Sequence, residues 1–205
     1  MTEILSLASD RLHPPFNMIV VSMVYHEYKA IQLHIPKTAG TSIENALWHG
    51  PNAINRKRTH WRPQQIIATE GQQVWEAYFK FSFVRNPWDR LVSHYFFERD
   101  LKKRIPADCD FGQFLSRWGK ERSTWNQLVW FEGRLAEFNF VGRFETLNED
   151  FRYICDQLGI DRSLPHDFRM EREHYSVYYD RNTRKQVAKL AKADIKVFGY
   201  TFETK

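Results

Sequence analysis

Cysteine is scarce in this 205-residue chain. There are two, Cys109 and Cys155, and they match no metal or redox spacing, so they read as two buried thiols in a reducing compartment. Long hydrophobic runs are also missing. The most apolar early stretch, Met18 to Tyr25, is far shorter than the roughly 20 residues a membrane-spanning helix needs. Asp10, Arg11, His13 and two prolines interrupt the first residues, so no signal-peptide core is legible there. A cytoplasmic protein with no stable membrane insertion is the expectation. No repeat, low-complexity tract or long basic run occurs either, and no nucleic-acid partner is expected. The eight histidines, at 13, 26, 34, 49, 60, 94, 166 and 174, offer no pair at ligand spacing with a third partner. No metal site is therefore expected. The common ATP-binding loop, G-x-x-x-x-G-K-[ST], is missing too.

The chain's length suits one domain with a substantial core. Aromatic residues make up 16%, enough for packing and for stacking on sugars or bases. A net charge of +5 and a pI near 9.2 favour an anionic partner such as a nucleotide or an acidic glycan. Trp88, Trp118, Trp125 and Trp130 include candidates for a sugar-stacking platform, although most aromatics pack in cores. The Arg56-Lys57-Arg58 triplet reads as a solvated surface or as a contact for an acidic acceptor.

Met18 to Val24, Ala30 to Ile35, Phe79 to Val84 and Phe138 to Arg143 read as strands. Helical patterns run over Ile43 to Leu47, Gln64 to Tyr78, Pro87 to about Lys103, Phe111 to Trp118, Leu147 to Leu158 and Asn182 to Val197. Asn52 to Arg62, Ile105 to Cys109 and Leu164 to Tyr179 read as loops, and Trp125 to Phe131 as an aromatic stretch of undecided type. Asn86 can cap the third of these helices, with Pro87 at its first position and Asp89 in its first turn. Strands alternating with helices predict an α/β fold, a parallel sheet covered on both faces with its ligand site at the carboxyl ends of the strands.

Two anion sites follow. In Ile35-Pro36-Lys37-Thr38-Ala39-Gly40-Thr41-Ser42, a strand runs through a tight turn into a helix. Backbone N–H groups, one lysine and several hydroxyls then converge on one point, which suits phosphate or sulfate. In Arg85-Asn86-Pro87-Trp88-Asp89-Arg90-Leu91-Val92-Ser93, the serine lies seven positions past the cap, nearly two turns on, and faces the same way. Arg85 offers a planar donor fork suited to phosphate. Lys37 and Arg85 each follow a buried strand, so both should reach one crevice. A ligand with phosphates at both ends of a nucleoside would bridge them.

These residues resemble sulfotransferases that use 3′-phosphoadenosine 5′-phosphosulfate, of the carbohydrate-sulfotransferase kind. Pro36 to Ser42 match the family's 5′-phosphosulfate loop without a gap. Arg85, Asn86, Pro87, Arg90 and Ser93 match its 3′-phosphate segment. Val141-Gly142-Arg143-Phe144-Glu145-Thr146-Leu147, Tyr178-Tyr179-Asp180 and Phe198-Gly199-Tyr200 are similar to its later regions. The likeness runs from about Gln32 to Phe202 and implies a single domain (core about 30 to 202) with a three-layer, P-loop-NTPase-like fold. It also implies the nucleotide sulfate donor as co-substrate and no metal, with a carbohydrate or other hydroxyl acceptor. Pro36, Lys37, Thr38, Ala39, Gly40, Thr41, Ser42, Arg85, Ser93, Arg143 and Tyr175 would hold the donor. Arg143 serves equally well as the partner of Glu145 or Asp150. Arg172, His174 and Tyr175 sit in a charged loop able to close over the nucleotide.

Lys37 would neutralise charge on the oxygen between sulfur and phosphorus, and His60 is the first candidate for the base that takes the acceptor proton. Glu44, His49, His94 and Glu98 are the others. Two competing functions are open at this stage: a phosphate-loop kinase or hydrolase, and a non-catalytic module binding a bisphosphate nucleotide or a sulfated glycan. The kinase would want the standard loop and an acidic metal ligand after a strand, and neither is legible.

Overall fold

The computed structural model describes residues 23–48, 60–118, 125–165 and 172–205, with Trp118 as backbone only. The apolar runs become strands β1 (Val24–Tyr25), β2 (Ala30–Leu33), β3 (Phe79–Val84) and β4 (Phe140–Arg143). They lie in one sheet in the order β1-β2-β3-β4. β2 and β3 run parallel with Ala30 opposite Phe79, and β3 and β4 run parallel with Phe81 opposite Phe140. The expected all-parallel sheet needs one correction: the edge strand β1 pairs antiparallel with β2, Val24 opposite Ile31. Only the short helical turn His26–Tyr28 and its cap Lys29 separate these two strands, and a parallel pair would need a long crossover.

The helices are α1 (Gly40–Leu47), α2 (Pro63–Glu70), α3 (Gln72–Ala77), α4 (Pro87–Phe96), α5 (Phe111–Trp118), α6 (Leu147–Leu158), α7 (Arg181–Leu190) and α8 (Lys192–Phe198). Because strand side chains alternate, Ala30, Phe81 and Phe83 meet α1 and α6 on one face, through Ile43, Leu47, Phe151 and Ile154. Ile31 meets Ile66 and Trp75 of α2 and α3 on the other face. There Leu33 and Val84 pack against Trp130, Phe131 and Tyr200. Each of these large apolar side chains, once fully buried, contributes about 1.5–3 kcal/mol. The Phe83 ring lies against Gly142, where an added Cβ would meet it at 2.6 Å, so β4 needs a glycine at that point.

Three helical expectations are revised. The pattern over Gln64 to Tyr78 is two helices broken at Gly71, whose φ of 92° is open to glycine and costly for other residues. The pattern over Asn182 to Val197 breaks at Ala191, and the kink turns Asp194 fully inward. The helix from Pro87 gives way at Phe97 to a π-helical turn, Phe97–Leu101, in which the Lys102 N–H donates to the Phe97 carbonyl. The aromatic stretch resolves as a 3₁₀ turn over Leu128–Phe131. Both cysteines are buried and unpaired. Most of the early strand Met18 to Val24, Arg56 to Arg58, His49 and His166 lie outside the described residues. Among the described residues, no helix is long and apolar enough to cross a membrane.

Candidate anion-binding and proton-transfer site

The turn between β2 and α1 is strained. Lys37 and Ala39 both adopt left-handed backbone, φ 69° and 68°, at about 1–3 kcal/mol each. Surrounding groups hold them there. The Thr38 hydroxyl donates to the Ile35 carbonyl at 2.8 Å and the residue is buried, so this hydroxyl locks the turn instead of facing a ligand. Buried Arg90 donates from Nε to the Pro36 carbonyl at 2.8 Å. Gln32 accepts from Tyr25 at 2.7 Å and reaches the Gly40 carbonyl at 3.4 Å, tying the sheet to the first residue of α1. Gly40 fits there because it has no Cβ, which would lie 2.0 Å from the His34 ring. The Ser42 N–H turns back to the Ala39 carbonyl at 2.9 Å. That leaves the first N–H groups of the helix and the half-buried hydroxyls of Thr41 and Ser42 at the opening.

Arg85 comes directly off β3. Buried Gln127 clamps its backbone, accepting from the Arg85 N–H at 2.9 Å and donating to its carbonyl at 2.8 Å. Gln127 is held in turn by buried Asp194, which accepts from the N–H groups of Gln127 at 2.6 Å and Leu128 at 3.0 Å. Thus fixed, the Arg85 side chain lies on the Phe144 ring at 3.6 Å, pairs with Asp89 at 2.8 Å, and donates to the Lys37 carbonyl at 3.2 Å. Asp89 also pairs with Arg172. Burial works against the Asp89 charge, but Arg85 and Arg172 outweigh it and hold the carboxyl below its usual range. Asn86 caps α4 by accepting from the Trp88 N–H at 3.1 Å, and its own N–H donates to Glu145 at 2.6 Å.

Asp89, Ser93 and Phe97 recur every four residues, along about 12 Å of one face of α4 and its π turn. The Arg85 guanidinium sits at the Asp89 end. The Lys37 ammonium sits at the other, 4.0 Å above the Phe97 ring. Burial, with Arg85, Arg172 and Arg90 nearby, pushes the Lys37 amine down to about 8, against a smaller opposing effect of Glu98. Burial pushes Arg90 down to about 10. The crevice therefore concentrates positive charge, only part of which Asp89, Asp194 and Glu98 offset, and it calls for an anionic ligand.

His60 lies beside the carboxyl end of β2. Its Nδ1 is 3.2 Å from the His34 carbonyl oxygen. A carbonyl only accepts, so the proton sits on Nδ1 and Nε2 keeps a bare lone pair. The residue as a whole stays exposed while its ring is crowded by His34 at 4.5 Å and Trp130 at 5.9 Å. Burial of the ring pushes His60 down to about 4; the charges of His34 and Arg90 add to this, while the hydrogen bond to the His34 carbonyl and Glu44 oppose it.

The other candidates border the crevice but are engaged with partners of their own. His94 packs edge-on against Phe114 and is pushed by burial to about 4. The Arg143 guanidinium donates to the Phe198 carbonyl and lies over Tyr200, while its backbone N–H, not the guanidinium, meets Asp150. Tyr175 is buried; its hydroxyl accepts from the Glu203 N–H at 2.7 Å, pinning the chain's end. His174 caps the turn Tyr175–Tyr178. Trp88 and Trp125 are core residues, and Trp130 is the tryptophan beside His60. Among the described residues, no group of three or more His, Cys, Asp or Glu is placed to hold a metal ion. Sequence reasoning missed Gln127, Asp194, Phe97 and the pairing of His34 with Glu44. It read Asp89 only as a first-turn acid, although the arginine four residues before it on a helix start was a legible signal.

The sulfotransferase family's sequence model matches residues 22–201. An uncharacterized protein of Archaeoglobus fulgidus is 26% identical over 99 residues, 46% of this chain and 78% of the relative. No solved structure matches. The family match spans both candidate anion-binding segments and most of the chain: this protein belongs to the sulfotransferase family, whose general reaction is transfer of a sulfuryl group to an acceptor.

Proposed function

We propose that the protein transfers the sulfuryl group of 3′-phosphoadenosine 5′-phosphosulfate to a hydroxyl of a carbohydrate or glycoconjugate. The observation that carries this reading is the contact of the Arg85 guanidinium with the Lys37 carbonyl, which joins two anion-binding segments in one cationic crevice. A donor with phosphate on both sides of its ribose suits a crevice with cations at both ends, whereas a single phosphate would leave one end unmatched.

In this reading Lys37, Thr41, Ser42 and the free N–H groups of Gly40 and Thr41 hold the 5′ end, and Arg85 and Ser93 hold the 3′-phosphate. Pro36, Thr38 and Ala39 shape the loop. Tyr175 and Arg143 act through the walls they brace. The acceptor oxygen attacks sulfur, the bond from sulfur to the 5′-phosphate oxygen breaks, and adenosine 3′,5′-bisphosphate leaves. The acceptor's proton goes to His60 Nε2. Lys37 meets the charge that builds on the departing oxygen. The strand, turn and helix that present this loop fit a three-layer, P-loop-NTPase-like fold.

The test is transfer of radiolabelled sulfate to a panel of carbohydrate acceptors. The parent transfers, Lys37→Ala does not, and His60→Ala binds the bisphosphate without turnover. A parent that binds the bisphosphate yet passes sulfate neither to any acceptor nor slowly to water contradicts the enzymatic reading and leaves a binding module.

A further inference from the structure

One buried acid–base pair beside the site is not used by the chemistry above. His34 ends the run from β2, and its Nδ1 lies 2.7 Å from Oε1 of Glu44 on α1; both side chains are largely withdrawn from solvent. The same His34 ring fills the notch left by Gly40, and its edge-to-face contact with His60 has ring centres 4.5 Å apart. The His34 carbonyl takes the His60 Nδ1 proton. One residue therefore touches the anion loop, a buried carboxylate and the base.

We propose that Glu44 and His34 are positioning residues for His60: the His34 carbonyl fixes which nitrogen of His60 is bare, and the Glu44 carboxylate, acting across the His34 ring, favours the imidazolium formed when His60 takes a proton. This rests on the sulfotransferase reading, in which His60 is the base. The physics is that of a histidine oriented by a neighbour and stabilised by a nearby carboxylate. The Glu44 carboxylate meets the His34 ring that packs on His60, so its negative charge lies one ring away and favours a cation at His60. The charges facing His60 are His34 at the end of β2, Glu44 on α1 and Arg90 on α4; Arg62, two residues on, lies over Trp130. The hydrogen bond to the His34 carbonyl and the Glu44 charge favour the protonated form, against burial and the charges of His34 and Arg90.

The test is NMR titration of the imidazoles in the full chain, with His60 assigned from His60→Gln. In the parent, neutral His60 carries its proton on Nδ1. Glu44→Gln, which keeps the shape and an acceptor for His34 but deletes the charge, lowers the His60 titration by about half a pH unit or more. Glu44→Asp recovers part of the shift. An unmoved His60 in folded Glu44→Gln, or a proton on Nε2 in the neutral parent, overturns the proposal. Adenosine 3′,5′-bisphosphate is titrated into the same samples. If it binds while His60 is unmoved, the positioning role is overturned and the sulfotransferase reading stands. If His60 shifts but the nucleotide does not bind, the pairing stands and the donor reading falls.

Discussion

The Arg85 guanidinium donates to the backbone carbonyl of Lys37 at 3.2 Å, 48 positions away in the chain. Two parallel strands, β2 and β3, deliver these residues side by side, and Gln127 holds one while Arg90 holds the other's loop. The site is thus a joint between two strand ends, and its charge is stored in groups that burial disfavours.

Lys37→Met removes a half-buried amine that Arg85, Arg172 and Arg90 repel. Its folded-state value of about 8 lies below the ordinary 10.5. The folded state therefore holds fewer protons than the unfolded one between these values, and the cost is full below pH 8 and fades as pH rises towards 10.5. Lys37→Met raises the unfolding temperature at pH 7 by about 2–4 °C, roughly the effect of 1 kcal/mol in a chain of this size after solvent screening. The gain shrinks at alkaline pH, and transfer is lost throughout. Thermal unfolding from pH 7 to 10 measures it.

Binding of a phosphate ligand restores the ordinary basicity of Lys37. At about pH 8–9 binding takes up a proton, and below about pH 7, where the amine is already charged, it does not. Calorimetry in two buffers of different ionisation heat reads the uptake directly.

Gln127→Leu leaves the Arg85 N–H and carbonyl without their partner and strips one donor from Asp194. Buried unsatisfied groups cost about 1–3 kcal/mol each, so the variant loses about 3 kcal/mol in denaturant unfolding. Its affinity for the bisphosphate falls with it, because Arg85 is no longer aimed.

Gly40→Ala drives a methyl group into the His34 ring. The buried ring has to leave its notch, taking the Glu44 contact with it. A loss of about 1–3 kcal/mol in stability is expected, with bisphosphate binding weakened at least about tenfold. Unfolding and calorimetry on the same preparation check both.

The geometry that joins Lys37 to Arg85 was legible, because two buried strands each end in a charged turn and parallel neighbours place their carboxyl ends together. The Asn86 cap was legible from local spacing. Gln127 was not: a glutamine inside an aromatic stretch carries no periodic signal, and its partner lies 42 positions away. The His34–Glu44 pair is ten positions apart across a strand and a helix, beyond any spacing rule. Ala191 is a good helix former, so nothing local announced the break that turns Asp194 inward; tertiary demand overrode propensity.

The central claim is that one crevice binds phosphate at both ends of a nucleoside. Calorimetric titration with adenosine 3′,5′-bisphosphate, beside ATP and 5′-AMP, tests it most directly. The account predicts micromolar binding of the bisphosphate, at least about tenfold weaker binding of ATP and AMP, and a loss of about 1.5–3 kcal/mol in Arg85→Ala. Equal affinity for the bisphosphate and AMP, unchanged in Arg85→Ala, would contradict it and make Arg85 and Ser93 structural residues.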